Sequence, residues 1–220
     1  MARDQTSESA GGGAATQRAY GGMPLDDRRE LRREQFIEAG LQVFGTTGYA
    51  HSSVSQLCAA AGLSRRQFYE QFADREALLL AVYETIQRDA QASVAAGLAR
   101  TRSTDLGELA RVSMQEYMAS VGTDPRRAEV SFVQIVGVSA DAEQFRLTSR
   151  ETWVDVFLVS AEQFGGRPPR DEFTDRYVAI GFIGALTAIV HRWSTAPAPR
   201  PDITAIVDTL TDLLVAFIRA

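Results

Sequence analysis

Two short amphipathic segments joined through one glycine constrain this chain more than any other feature in it. Val54, Leu57, Cys58 and Ala61 place apolar groups at i, i+3, i+4 and i+7 over only two turns, and Ser53 with Gln56 three residues later forms the capping-box pattern of a helix start. Ala61-Gly62-Leu63-Ser64 then turns the chain, and Ser64 with Gln67 opens a second short helix through Phe72. Upstream, Ile37, Gly40, Leu41 and Phe44, with Leu31 before them, mark a first helix that Thr46-Thr47-Gly48 ends. Two short helices, a tight glycine turn and a longer supporting helix make a helix-turn-helix unit.

Helical periodicity continues to the end, and strand signals are absent. Asp74 is a good N-cap for a long helix from Arg75 to about Leu98 that carries Leu79, Val82, Tyr83 and Ile86 on one side. Further helices are predicted from about Leu106 to Val121 and, after the Asp124-Pro125 start, from there to about Gly137. The pattern resumes from about Asp141 to Phe164, stopped by Gly165-Gly166, and from near Arg170 to Trp193, stopped by the Pro-rich run Ala196 to Pro201. A last helix from Asp202 carries Ile203, Ile206, Val207, Leu210, Leu213, Leu214 and Phe217 on one broad face. The expected fold is all-α with about nine helices. It comprises an N-terminal three-helix unit over residues 26–73 and a larger helical domain over residues 74–220. Residues 1–25, rich in Gly, Ser and Ala and poor in large apolar groups, read as a disordered tail.

Composition excludes several classes. The chain has 220 residues, 45% of them hydrophobic and 23% charged, the balance of a globular protein. The longest uncharged apolar stretch, Val178 to Val190, falls short of the ~20 residues of a bilayer crossing. A single cysteine, Cys58, excludes an internal disulfide and any multi-cysteine metal site. The first residues lack the apolar core of a secretory signal, so a cytoplasmic location is expected. No Gly-rich phosphate loop or His-Glu-x-x-His spacing is present, and only His51 and His191 offer imidazoles; neither catalytic residues, metal nor cofactor are expected.

The segments Phe44-Gly45-Thr46-Thr47-Gly48-Tyr49, Ser52 to Leu57, Ala61 to Phe72 and Asp74 to Leu78 strongly resemble the DNA-binding domain of the TetR family of one-component transcriptional regulators, without a gap from about Gln35 to Leu80. The residues themselves agree. Leu63, Phe68 and Phe72 supply a face that locks a reader helix onto the first two helices, while Arg65, Arg66, Gln67, Tyr69 and Gln71 are left for a major groove. The resemblance implies that Arg65, Arg66 and Tyr69 reach base edges or the groove. It puts Ser52, Ser53, Gln67, Gln71 and Arg75 at phosphates, and Ser55 at a position that sometimes reads a base. Ser53 and Ser64 also read as plain helix caps, and a cap lends backbone amides to a phosphate. Gln67 reads equally as a capping residue. Many family members carry a small residue where this chain has Arg66, so the operator sequence does not transfer.

The net charge of −5 looks wrong for a DNA binder until it is divided along the chain. Residues 26–75 carry 7 arginines against 7 acids, and residues 76–220 carry 14 against 19; lysine is absent. Five of the seven acids lie on the first helix, whereas Arg65, Arg66 and Arg75 cluster on or just after the reader helix, with Glu70 the one acid near the DNA face. Phosphate neutralisation then predicts moderate affinity with strong salt dependence.

One short reader helix makes few contacts, so a two-fold homodimer on a double-stranded palindromic operator is expected. Tyr177, Gly181, Gly184 and Ala188 form a row of mostly small side chains, and with Leu210, Leu214 and Phe217 of the last helix they suggest a four-helix interface, as the family arrangement implies. Met114, Tyr117, Met118, Phe132, Trp153, Phe157 and Phe182 gather in the middle helices as lining for an apolar effector pocket, with Gln134 or His191 as polar anchor. A plain core is the competing reading of that row. The functional expectation is a regulator, most simply a repressor, released from its operator by a small apolar or aromatic ligand. The alternative is a helical ligand-binding or interaction protein that has lost DNA binding.

Overall fold

The computed structural model describes residues 24–164 and 171–219, so the N-terminal tail and the Gly165-Gly166 stop lie outside the described residues. Every regular element among the described residues is helical: α1 (Leu25–Thr46), α2 (Val54–Ala61), α3 (Arg65–Gln71), α4 (Arg75–Arg100), α5 (Leu106–Gly122), α6 (Pro125–Glu129), α7 (Ala140–Phe164), α8 (Glu172–Ser194) and α9 (Ile203–Arg219). The all-α class and the helix order match the expectation.

The three-helix head is built on aromatic packing. Phe36, Phe44, Leu57 and Phe68 are each wholly buried, and Phe36 meets the edges of Phe68 and Phe72 with ring centroids 5.3 and 6.2 Å apart. Gly62 takes φ 66° and returns its N–H to Cys58 and Ala59, a left-handed helix end that costs a glycine little strain. Both predicted caps exist. Ser64 and Gln67 form a complete capping box, whereas at Ser53 the Gln56 side chain accepts from the serine hydroxyl instead.

Helix α4 leaves the head and becomes a wall of the body. Its first turns pack Leu78 and Val82 over Gly40 of α1, and its later turns bury Ile86, Ala90 and Val94. Helices α5, α7, α8 and α9 complete the body around one continuous core.

One sequence expectation needs correction. The helix expected from Pro125 to about Gly137 is α-helical only to Glu129; Val130–Gln134 is a π-helical turn, and Gly137 reverses the chain at φ 73°. Hydrophobic periodicity does not distinguish a π-turn from an α-turn over five residues. Phe173–Ser194 of α8 is long and apolar enough by composition to cross a bilayer, with an 18-residue window of mean hydropathy 1.4 that is 28% buried inside the chain; a single helix of this kind is weak evidence for a span and does not overturn the expectation.

Head and body also meet where α6 crosses α1. A Cβ at Gly45 would stand 2.5 Å from the Arg126 Cβ and 2.8 Å from its Cα, so only glycine lets the two backbones approach this closely. Gly45→Ala is expected to lower stability by about 1–3 kcal/mol, read as a shifted midpoint in urea with an unchanged slope.

Candidate functional site

Helix α3 presents a short polar surface. Phe68 and Phe72 fix its inner side, and Leu63 is half-buried behind it. Tyr69 is 53% exposed, its ring held edge-on to Phe68 at 5.4 Å. Arg65 stands exposed and extends to Ser55 of α2 at 3.4 Å, which ties the reader helix to its supporting helix through a residue pair ten positions apart. The Arg66 side chain, 89% exposed, pairs with Glu70 one turn on at 3.0 Å. Ser53, Ser55 and Ser64 are exposed as well.

The remaining candidates are engaged inside the protein. Gln67 accepts from the Ser64 N–H at 2.9 Å as part of its capping box. Gln71 is half-buried and shares a groove with Asp26, Arg29, Glu30 and Arg33 of α1. Ser52 is only 8% exposed; its hydroxyl donates to the Tyr49 carbonyl at 2.8 Å and accepts from Arg75 at 3.0 Å. Arg75 also donates to the backbone carbonyls of Ser52 and Tyr49, at 2.5 and 3.0 Å, and its guanidinium lies 4.9 Å from the Tyr49 ring centre. Four interactions on one guanidinium make Arg75 the clamp that holds the loop between α1 and α2 against the start of α4. The sequence pointed to a phosphate contact and gave no sign of this.

The body holds one large apolar slot between α4, α5, α7, α8 and α9. Met114, Tyr117, Phe132, Trp153, Phe157 and Phe182 line it, so six of the eight expected residues meet there. Met118 and His191 do not. Met118 is wholly buried in the core away from the slot. His191 is exposed on α8, and its Nδ1 lies 2.8 Å from the Phe132 carbonyl. Gln134 is likewise elsewhere: its Oε1 accepts from the Tyr49 N–H at 2.7 Å and its amide donates to Glu129 at 2.7 Å.

Polar lining residues were missed: Tyr83, Gln87, Ser131, Arg146 and Arg150. Arg146 and Arg150 fall on the same i, i+4, i+7, i+11 row as Trp153 and Phe157, a signal visible in the sequence once basic residues are included in the row. Gln87, 8% exposed, accepts from the Trp153 indole at 2.9 Å and so orients the aromatic wall. Burial pushes the Tyr117 phenol far above its ordinary pKa, and Tyr83 is raised for the same leading reason, so both are neutral donors at physiological pH.

The interface candidates divide too. Tyr177, Gly181, Gly184 and Ala188 lie on the exposed side of α8, joined by Phe173 and Ile180, and a Cβ at Gly184 would meet nothing within 4 Å. Leu210 is wholly buried and Leu214 nearly so, because that side of α9 faces α5 and the slot; for these two the interface expectation is corrected to core. Phe217 is half-buried over Gly181 of its own chain, where an added Cβ would stand 3.0 Å from its ring, and it meets the Phe182 ring at 6.0 Å.

Residues 36–82 match the family described as bacterial regulatory proteins, tetR family. Residues 36–82 therefore carry a DNA-binding domain of that family's type. Solved structures of similar fold agree over more than four fifths of the chain. The fatty acid degradation regulator FadR from Bacillus halodurans has a TM-score of 0.71 at 20% identity, covering 84% of this chain and 94% of its own. FadR from Bacillus subtilis, solved with stearoyl-CoA, has a TM-score of 0.68 at 19% identity, covering 83% and 97%. AibR, solved with isovaleryl coenzyme A and operator DNA, has a TM-score of 0.59 at 17% identity, covering 82% and 96%. The match over residues 36–82 and the helical architecture shared with these structures are those of DNA-binding transcriptional regulators.

Removing the Arg75 clamp leaves the Ser52 carbonyl and the buried Ser52 hydroxyl without this donor, while the Tyr49 carbonyl keeps the Ser52 hydroxyl and N–H. Arg75→Ala is therefore expected to cost about 2 kcal/mol or more of folding stability, measured by thermal or urea unfolding in the absence of DNA.

Proposed function

We propose that the protein is a homodimeric repressor that leaves a palindromic operator when an amphipathic effector enters the slot. Residues 26–73 serve as the reading unit and residues 74–220 as the effector-binding and dimerisation unit. The observation that carries the reading is the division of labour on α3: Phe68 and Phe72 hold it down while Arg65, Arg66 and Tyr69 stand in solvent. Arg65, Arg66 and Tyr69 enter the major groove, with Ser53, Ser55 and the Ser64 cap on flanking phosphates and base edges. Ser52, Gln67, Gln71 and Arg75 act mainly by shaping this surface. The operator DNA solved with AibR and the acyl-chain compounds solved with AibR and the Bacillus subtilis FadR support the same two kinds of partner here, duplex DNA and a small molecule with an apolar chain.

The partner copy covers the exposed apolar side of α8. Phe173, Tyr177 and Ile180 are 68%, 59% and 41% exposed, in line with Gly184 and Ala188, whose small side chains let a second helix approach.

The effector reaches the DNA through the π-helical turn. Ser131 and Phe132 line the slot, and three residues on Gln134 holds the Tyr49 N–H while Arg75 holds the Tyr49 carbonyl. Tyr49 is therefore pinned on one side by the effector-binding unit and on the other by the start of α4, where Ser139 also donates to Glu76. An effector with higher affinity for a different π-turn geometry shifts the population towards heads that no longer match successive grooves.

Arg65→Ala and Tyr69→Ala are expected to abolish gel-shift binding to DNA flanking the protein's own gene while leaving the dimer intact by light scattering. Wild-type binding should weaken steeply between low and physiological salt, since the affinity rests on phosphate neutralisation. DNA binding that survives both substitutions, or that ignores salt, rules the reading out. Ile180→Asp should give monomers that unfold as before and bind DNA at least tenfold more weakly, roughly the loss of one half-site.

A further inference from the structure

The slot carries its charged residues at one end and is mostly apolar along the rest, where Ser113, Ser160 and Thr187 each bond their own helix backbone. At the polar end Tyr83, Tyr117, Arg146 and Arg150 come together: Arg150 acts on both phenols, and burial followed by the charge of Arg146 holds the Arg150 guanidinium below its ordinary pKa. Arg146 is paired with Glu143, with Nε to Oε2 at 3.0 Å, and the same carboxylate acts on Arg150 only from beyond ion-pair distance. Arg150 is half-buried and has no carboxylate within ion-pair distance among the described residues, and no Asp or Glu lines the slot. Ser131, 5% exposed, also lines the slot with a hydroxyl that has no hydrogen-bond partner. A half-buried cation and a buried hydroxyl, both unanswered, are costly features unless a ligand satisfies them.

From there the slot runs along α4 from Tyr83 to Leu98, about 22 Å at the rise of an α-helix. Leu98, Leu106, Phe164 and Ile218 are among its apolar lining. One uncompensated positive charge at the head of a long apolar slot specifies both the charge and the shape of an occupant.

Resting on the reading of this slot as the effector site, we infer that the effector is a long-chain monoanion, a free fatty carboxylate, whose head accepts hydrogen bonds from Arg150 and Ser131 and whose chain lies along α4. A neutral chain of the same length leaves Arg150 unanswered, and a coenzyme A thioester brings several negative charges to a slot with one free cation among the described residues.

The test uses the delipidated full-length protein carrying Trp193→Phe, which leaves Trp153 in the slot wall as the sole tryptophan reporter. Tetradecanoate, 1-tetradecanol and tetradecanoyl-CoA are titrated against its fluorescence below their aggregation thresholds. The acid should bind at least about tenfold more tightly than the alcohol, the scale of one hydrogen-bonded charge. Arg150→Met should bring the two together while leaving the alcohol's affinity in place, and Arg150→Lys should keep an intermediate preference. Equal affinity for acid and alcohol in the wild type, a preference that survives Arg150→Met, or thioester binding tighter than that of the acid each overturns the head-group assignment and leaves the effector slot standing. If none of the three perturbs Trp153, the slot reading itself falls and this assignment with it. The wild-type comparison decides the matter even where a variant fails to fold.

Discussion

The joint between the three-helix head and the body depends on how one residue of the α1–α2 loop is held. The Tyr49 N–H is taken by Gln134 and its carbonyl by Arg75, while its ring lies under the Arg75 guanidinium and beside Phe44. The loop that orients the helix-turn-helix is thereby fastened to the body at one edge and to α4 at the other. Motion in either fastening is transmitted to α2 and α3, since the aromatic packing of Phe36, Phe68 and Phe72 makes the head move as a unit.

The π-helical turn gives this joint its character. An α-helix continued from Pro125 would bring its side chains round at 100° per residue; the wider turn instead supplies Ser131 and Phe132 to the slot and Gln134 to the Tyr49 backbone. Irregular helical turns of this kind recur where backbone geometry serves function. Glycine at position 45 complements it by letting α6 sit against α1 without an intervening side chain.

The head was legible because its signals are local. Capping serines, an αL glycine and an i, i+3, i+4 row each act within one or two turns, and the structure places Ser64, Gly62, Leu57 and Phe68 as their types require. The body was legible in helix order and in most of the aromatic wall. What escaped was set by distance in sequence. Arg75 gives no sign that its partners are the carbonyls of Ser52 and Tyr49. Gln134 and Glu129 are polar residues in an apolar row whose use depends on a π-turn that periodicity does not reveal. Leu210 and Leu214 belong to the same broad apolar face as Phe217, and only the packing of α5 shows which part of it is already covered.

The Arg66–Glu70 pair has a consequence for how such a reader searches. A guanidinium already matched by its own carboxylate gains little from an arbitrary stretch of duplex, because the same internal pair must be given up at every register. Only a base edge that accepts two hydrogen bonds repays the exchange. If Arg66 reads the groove as proposed, the acid one turn along α3 therefore takes a little from every non-specific register, on the small scale of an exposed ion pair, and leaves raw adhesion to the other arginines.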